Sequence, residues 1–249
     1  MSGLRSLDGR SGIRIFLTSH PEPCPYLPNR TEQKLATHLY PENEADFAEL
    51  TNRGFRRNHD VAYRPACPTC KACKSIRLCV ADFRPNKTQR RLLRRYADLD
   101  LSLEEKALNN EHWTLFHDYI KGRHSTGSMA AMTQGDFIAM VTDSPVKTNL
   151  LTWREGPGGP LRAACLTDVL PNGLSAVYSY FSLHPTTPSL GTYVILALIE
   201  LAKRAEMDFV HLGYWVKGSK TMDYKARFHP TQIYEEGIWR DLPKWDAQV

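Results

Sequence analysis

The stretch from residue 149 to 214 constrains the fold more than any other part of this chain. Three apolar runs, 149–154, 161–170 and 174–181, have the length and side-chain types of strands. Gly156-Pro-Gly-Gly159 and Pro171-Asn-Gly173 separate them, and turns that tight join neighbouring strands, so the spacing predicts an antiparallel meander. Residues 190–206 then place Val194, Leu198, Leu201 and Ala205 along one side of a helix, with Ile195 and Ile199 widening the stripe. One more strand, 209–214, follows.

Meander, helix and strand in that order point to the half-open mixed sheet of acetyltransferase-like (GNAT-like) folds, an ordering that fixes no function by itself. Upstream the texture differs. Ile13, Ile15, Phe16 and Leu17 read as a short strand, and Pro21, Pro23, Pro25 and Pro28 then stiffen the segment around Cys24 and Tyr26. A helix is expected from an Asn43 cap to Arg53, where Gly54 stops it. Strands are expected at 61–63 and 75–80, and helices at 88–96 and 104–123, the last on the spacing of Leu108, Trp113, Phe116 and Ile120. The 249 residues therefore divide into an α+β pair: a small N-terminal α/β cysteine module, 1–97, and a C-terminal GNAT-like domain, 98–249.

Charge is unevenly spread. Between Arg53 and Arg95 stand thirteen Lys or Arg against Asp60 and Asp82, a net of +11, whereas the whole chain carries only +5. The remainder is net acidic, so this stretch reads as the footprint of a polyanion the size of a nucleic acid. Its helix puts Arg90, Arg91, Arg94 and Arg95 opposite Leu92, Leu93 and Tyr96, a basic face suited to phosphates. Within the same stretch lies Cys67-Pro-Thr-Cys70-Lys-Ala-Cys73, whose spacing turns successive thiolates toward one centre. Cys24 or Cys79 is available as a fourth ligand for Zn²⁺ or an iron-sulfur cluster.

No apolar run approaches the ~20 residues of a membrane span, and no secretory signal opens the chain. A cytoplasmic, reducing environment is expected, in which the six cysteines are thiols or ligands and not a disulfide framework.

Several short sequences together resemble one family. Cys24-Pro-Tyr-Leu-Pro28, Gly54-Phe-Arg-Arg57, Tyr63-Arg-Pro-Ala-Cys-Pro-Thr-Cys-Lys-Ala-Cys-Lys-Ser-Ile-Arg77, Ser189-Leu-Gly-Thr192, Leu212-Gly-Tyr-Trp-Val-Lys-Gly-Ser219 and Tyr224-Lys-Ala-Arg-Phe228 look like the bacterial aminoacyl-tRNA-protein transferases. What the resemblance implies is transfer of an amino acid, leucine in the bacterial branch, from its tRNA to the α-amine of a protein beginning with Asp or Glu. The product is marked for N-degron proteolysis. Eukaryotic relatives imply an iron-sulfur cluster at Cys24, Cys67, Cys70 and Cys73, although the transfer itself requires no cofactor. Arginine as donor, a CoA-dependent N-acetyltransferase and a non-catalytic tRNA-binding metal module are the alternatives.

An aminoacyl ester is already activated, so orientation and oxyanion stabilisation can carry the reaction without a covalent nucleophile. Lys217 or Tyr224 is expected to stabilise the oxyanion and Asp168 to handle the proton. Arg57, Arg64 and Arg77 are expected to recognise the acidic acceptor, because arginine pairs bidentately with carboxylates. Tyr26 and Tyr180 complete the substrate-binding set. His124 and His211 are available as bases, and Lys220 and Lys225 flank Tyr224.

Overall fold

The computed structural model describes residues 14–41, 44–104, 109–123, 128–219 and 221–243, and the expectations placed on Ile13, Asn43, Leu108, His124 and Lys220 lie outside them. In chain order the elements begin with β1 (Leu17–Thr18), β2 (Glu22–Pro23), β3 (Thr31–Glu32), β4 (Lys34–His38), α1 (Glu44–Asn52), β5 (Arg56–Asn58) and β6 (Val61–Pro65). Next come β7 (Cys73–Cys79), α2 (Lys87–Arg95), β8 (Leu99–Glu104), α3 (Asn110–Arg123), α4 (Gln134–Thr142), β9 (Thr148–Glu155), β10 (Leu161–Leu170) and β11 (Gly173–Phe181). The chain closes with α5 (Leu190–Arg204), β12 (Phe209–Val216), β13 (Thr231–Glu235) and β14 (Ile238–Asp241).

The expected meander is present: β9, β10 and β11 are consecutive antiparallel neighbours. They belong to an eight-stranded sheet in the order β14-β13-β7-β12-β11-β10-β9-β8. The alternation of β10 sends Ala163 and Cys165 to one face and Ala164 and Leu166 to the other. On the first face lies α5, whose Leu190, Val194, Leu198 and Ala202 pack against Ile76, Leu78 and Val210. On the second lie α3 and α4, which supply Phe116, Ile120, Phe137 and Met140. Both faces are covered, so the strands are apolar on both sides as well as alternating.

The strand β7 sits between β12 and β13 of this sheet, although it belongs to the segment before residue 97. Its alternating Ile76 and Leu78 are wholly buried there, as their spacing predicts. A second sheet, β1-β4-β6-β5, is antiparallel. Its core of Leu39, Phe47, Leu50, Phe55 and Ala62 is completed by Val146 and Leu170 from the later half.

Two expectations change. Glu104 ends the edge strand β8 and does not begin a helix, which starts at Asn110 instead. The predicted N-terminal strand shrinks to β1, with Ile15 and Leu17 exposed. Gly54 does stop α1, at φ +83°, a left-handed conformation that side chains resist.

Candidate functional site

The strands β11 and β12 pair in parallel over only three positions, Gly173 with Phe209, Leu174 with Val210 and Ser175 with His211. Beyond them the two part. The register of β11 against β10 shifts near Leu166 and Thr167, and that of β12 against β7 shifts between His211 and Tyr214, where Gly213 takes φ +78°. Bulges of this kind turn a strand away from its neighbour. Because α5 connects the end of β11 to the start of β12, its N-terminus stands at the open end of the split.

Aromatic side chains gather there. Tyr178 is half-buried and its hydroxyl has no partner among the described residues. Tyr224, in the turn after β12, is partly exposed, and burial followed by Tyr119 pushes its hydroxyl up to about 12, so at neutral pH it is a proton-bearing donor. Lys217 is exposed just beyond the end of β12. Tyr180 is instead fully buried, its hydroxyl 2.8 Å from Nδ1 of His112, whose Nε2 lies 2.8 Å from Glu104. Glu104 also accepts from Arg154 and Thr152. Burial opposes the charge on Glu104, yet the hydrogen bonds from Arg154, His112 and Thr152 outweigh it and hold the carboxyl below its ordinary range. Tyr180 is thereby locked into a network under α3, not turned toward the split.

The arginines proposed for the acidic acceptor are distributed differently from expectation. Arg57 donates Nε and Nη2 to the two oxygens of Asp168 at 3.0 and 2.7 Å, and both side chains are 1% exposed. Thr148 adds a third hydrogen bond at 2.7 Å. Arg57 and Asp168 thus satisfy each other in the core, which leaves neither an open carboxylate for proton transfer nor an open guanidinium for substrate. Removing one partner of such a pair strands the other's charge, typically at a cost of about 3–5 kcal/mol. Arg77 gives Nε and Nη2 to Gln232 and lies between Phe209 and Trp239, 3.6 and 4.2 Å from their ring centres. Burial brings its guanidinium down to about 10. Arg64 lies over the Phe55 ring.

Cys73, which opens β7, has Cys24, Cys67 and Cys70 as its thiol neighbours. Burial, then the charges of Cys24, Cys67 and Cys70, push the Cys73 thiol up to about 12. The backbone N–H of Ala72, and then Arg30, whose Nη1 is 3.1 Å from the sulfur, pull Cys70 down. Cys79 stands at the other end of β7, roughly 20 Å away at the rise of an extended strand, and is outside this group. Among the described residues no three His, Cys, Asp or Glu side chains are close enough to hold one metal ion. Tyr26 adjoins the thiols, with burial, Tyr63 and Cys73 raising its hydroxyl.

Helix α2 presents Arg90, Arg91, Arg94 and Arg95 to solvent. Asn86 and Gln89 cap it reciprocally, each side chain accepting from the other's backbone N–H at 2.9 and 2.8 Å. Tyr96 anchors the helix end on α5 through a ring contact with Tyr193 at 5.0 Å and a 2.8 Å bond to the Pro188 carbonyl. Two clefts of about 480 and 360 Å³ flank α2, the smaller lined by Lys87, Arg91, Arg94, Arg95 and Ser189. The basic face therefore runs to the N-terminus of α5, at the open end of the β11–β12 split.

Two cationic residues gain weight only in three dimensions. Arg56 is 6% exposed and Lys225 9% exposed. Lys225 donates to the Tyr214 carbonyl at 2.8 Å, and burial followed by the Arg56 charge lowers its ammonium to about 7. His211 is fully buried with neither ring nitrogen paired among the described residues, and burial followed by Arg56 and Arg77 lowers its pKa, so it is neutral.

Two family models match the chain: arginine-tRNA-protein transferase, N terminus, over residues 22–91, and arginine-tRNA-protein transferase, C terminus, over residues 111–235. The chain is 45% identical over 232 residues to an aspartate/glutamate leucyltransferase of Rhizorhabdus wittichii, covering 91% of this chain and 87% of the relative. It is 44% identical over 235 residues to one of Parvibaculum lavamentivorans, covering 94% and 97%. Among solved structures, L-PGS from Bacillus licheniformis superposes with a TM-score of 0.48 at 12% identity over 69% of this chain and 59% of that one.

Proposed function

This chain belongs to the arginine-tRNA-protein transferase family, and on that premise we propose that it transfers leucine from Leu-tRNA to the α-amine of proteins beginning with Asp or Glu. It is an aminoacyltransferase, and its product enters N-degron proteolysis. The observation that carries the reading is the split between β11 and β12, flanked by aromatic hydroxyls and reached along the basic face of α2. The phosphates of the tRNA lie along Arg90, Arg91, Arg94 and Arg95, which sets its 3′ ester at the N-terminus of α5 and directs the aminoacyl group into the split. Leucine as the donor rests on the relatives, which are named aspartate/glutamate leucyltransferases.

In the reaction the acceptor amine, with an ordinary pKa of ~7.7–8.0, is partly unprotonated at neutral pH and attacks the ester carbonyl. A C–N bond forms, the C–O bond to the ribose breaks, the amine loses a proton and the ribose oxygen gains one. Tyr224, protonated and partly exposed, donates to the developing oxyanion, and Lys217, exposed just past the end of β12, offers a positive charge to the same end of the split. The proton passes through water or the ribose hydroxyls, because Asp168 is committed to Arg57. Residues 1–97 act as the recognition half and 98–249 as the transfer half, although they share one sheet.

Cys24, Cys67, Cys70 and Cys73 are the residues that would hold an iron-sulfur cluster or Zn²⁺. A cluster there would brace the recognition half and supply no step of the transfer.

The test incubates the protein with radiolabelled Leu-tRNA and a peptide beginning with Asp. The expected result is leucine incorporation that RNase abolishes, with little incorporation from Arg-tRNA and none of acetyl from acetyl-CoA. RNase-resistant acetylation of the peptide, or tRNA binding without transfer, would overturn it.

A further inference from the structure

Arg56 and Arg57 are adjacent on β5, both buried, and their side-on forks meet opposite fates. Nε and Nη2 of Arg57 hold the carboxylate of Asp168. The same two atoms of Arg56 are buried and have no partner among the described residues, its only side-chain hydrogen bond there running from Nη1 to its neighbour's carbonyl, Phe55 O, at 2.6 Å. The charges around it do not compensate. Lys225 from the turn after β12, Arg77 from β7 and the neutral His211 from β12 are its ionisable neighbours, with Tyr63 from β6 and Tyr214 from β12. A buried guanidinium fork without an anion is costly, and a carboxylate bound to it would relieve that cost.

Resting on the transfer reading above, we propose that the Arg56 fork is the subsite for the side-chain carboxylate of the acceptor's N-terminal Asp or Glu, with His211 as the neighbouring polar contact. The fork geometry matches a planar carboxylate, as Arg57 with Asp168 shows on the same strand. A tRNA phosphate is the poorer occupant: it belongs to an extended polyanion, whereas this fork is enclosed and α2 already offers exposed arginines. Tyr214 is pinned by hydrogen bonds to the Gly54 and Tyr63 carbonyls at 3.2 and 2.9 Å, so its ring forms the fixed wall. The Tyr63 ring, lying between Tyr214 and the half-exposed Lys34, is the side that must turn to admit the carboxylate. The site sits where the small sheet meets β12, which places the acceptor between the cysteine region and the split.

The test compares full-length wild type with Arg56→Met and Arg56→Lys. Calorimetry measures binding of two peptides that differ only in beginning with Asp or Asn, without tRNA, and leucyl transfer is measured separately. Wild type is expected to bind the Asp peptide roughly 10- to 100-fold more tightly than the Asn peptide, the range for hydrogen bonds to a charged group. R56M is expected to bind the two alike and R56K to restore only part of the difference, with transfer to the Asp peptide losing KM more than kcat. The melting temperature of R56M is expected to hold or rise, since an unpaired buried charge is gone. A variant that keeps its preference for Asp, or one that loses stability while preserving that preference, overturns the proposal. Wild type that prefers the Asp peptide but transfers no leucine would sink the transfer reading and leave the subsite standing.

Discussion

The most informative residues are cations whose surroundings decide what each can do. Arg57 and Arg77 match the carboxylate-binding role by type, yet one is neutralised by Asp168 and the other is held by Gln232 between two rings. Nothing in the local sequence distinguishes them from Arg56, because Asp168 is 111 positions from Arg57 and Gln232 is 155 from Arg77. Lys225 yields a test of the same buried cluster. Its folded pKa of about 7 is below the ordinary value of 10.5, so between those pH values the unfolded chain binds a proton that the folded chain has released. Stability from this group is therefore lowest below pH 7 and rises as pH climbs toward 10. Lys225→Met is expected to flatten that rise, seen as a melting-temperature difference between variant and wild type that is largest near pH 6 and shrinks by pH 9.5.

Among the elements, those with a long apolar period are legible in the sequence and those defined by distant pairing are not. The predicted strand 161–170 matches β10 at both ends, and the helix begun at 190 ends within two residues of its expected limit. By contrast the end of β8 reads as the start of a helix, although Leu99, Leu101 and Leu103 alternate with Asp100, Ser102 and Glu104, because a short edge strand exposes part of its apolar set. The reading of α2 as a basic surface helix holds in detail, its Leu92 and Leu93 packing on the core while the arginines face water. Replacing Arg90, Arg91, Arg94 and Arg95 by Gln is expected to leave the helix folded, since its cap and apolar face are untouched. The slope of log K against log salt for tRNA binding should fall by about 2–4, at ~0.7–0.9 for each phosphate no longer neutralised. An unchanged slope, measured by filter binding from 50 to 300 mM salt, would place the tRNA elsewhere.

For the whole molecule, the division at residue 97 describes the composition of the chain better than its architecture. The cysteine spacing and the charge run are visible locally, but that β7 fills the space between β12 and β13 is not, since both partners lie more than a hundred residues downstream. The fragments 1–97 and 98–249, expressed apart, are each expected to lack cooperative unfolding, and mixing them should restore it together with leucyl transfer. Independent sharp melting of the first fragment would contradict this. The position of β7 also sets a timetable. Cys79 pairs with Phe209, 130 positions later, and Leu78 with Thr231, later still. At ~5–20 residues per second, the ribosome finishes those partners on the order of ten seconds after β7 has emerged. During that interval the nascent chain carries an apolar strand with both edges bare, which makes this enzyme a client for whatever shields unfinished chains at the exit tunnel.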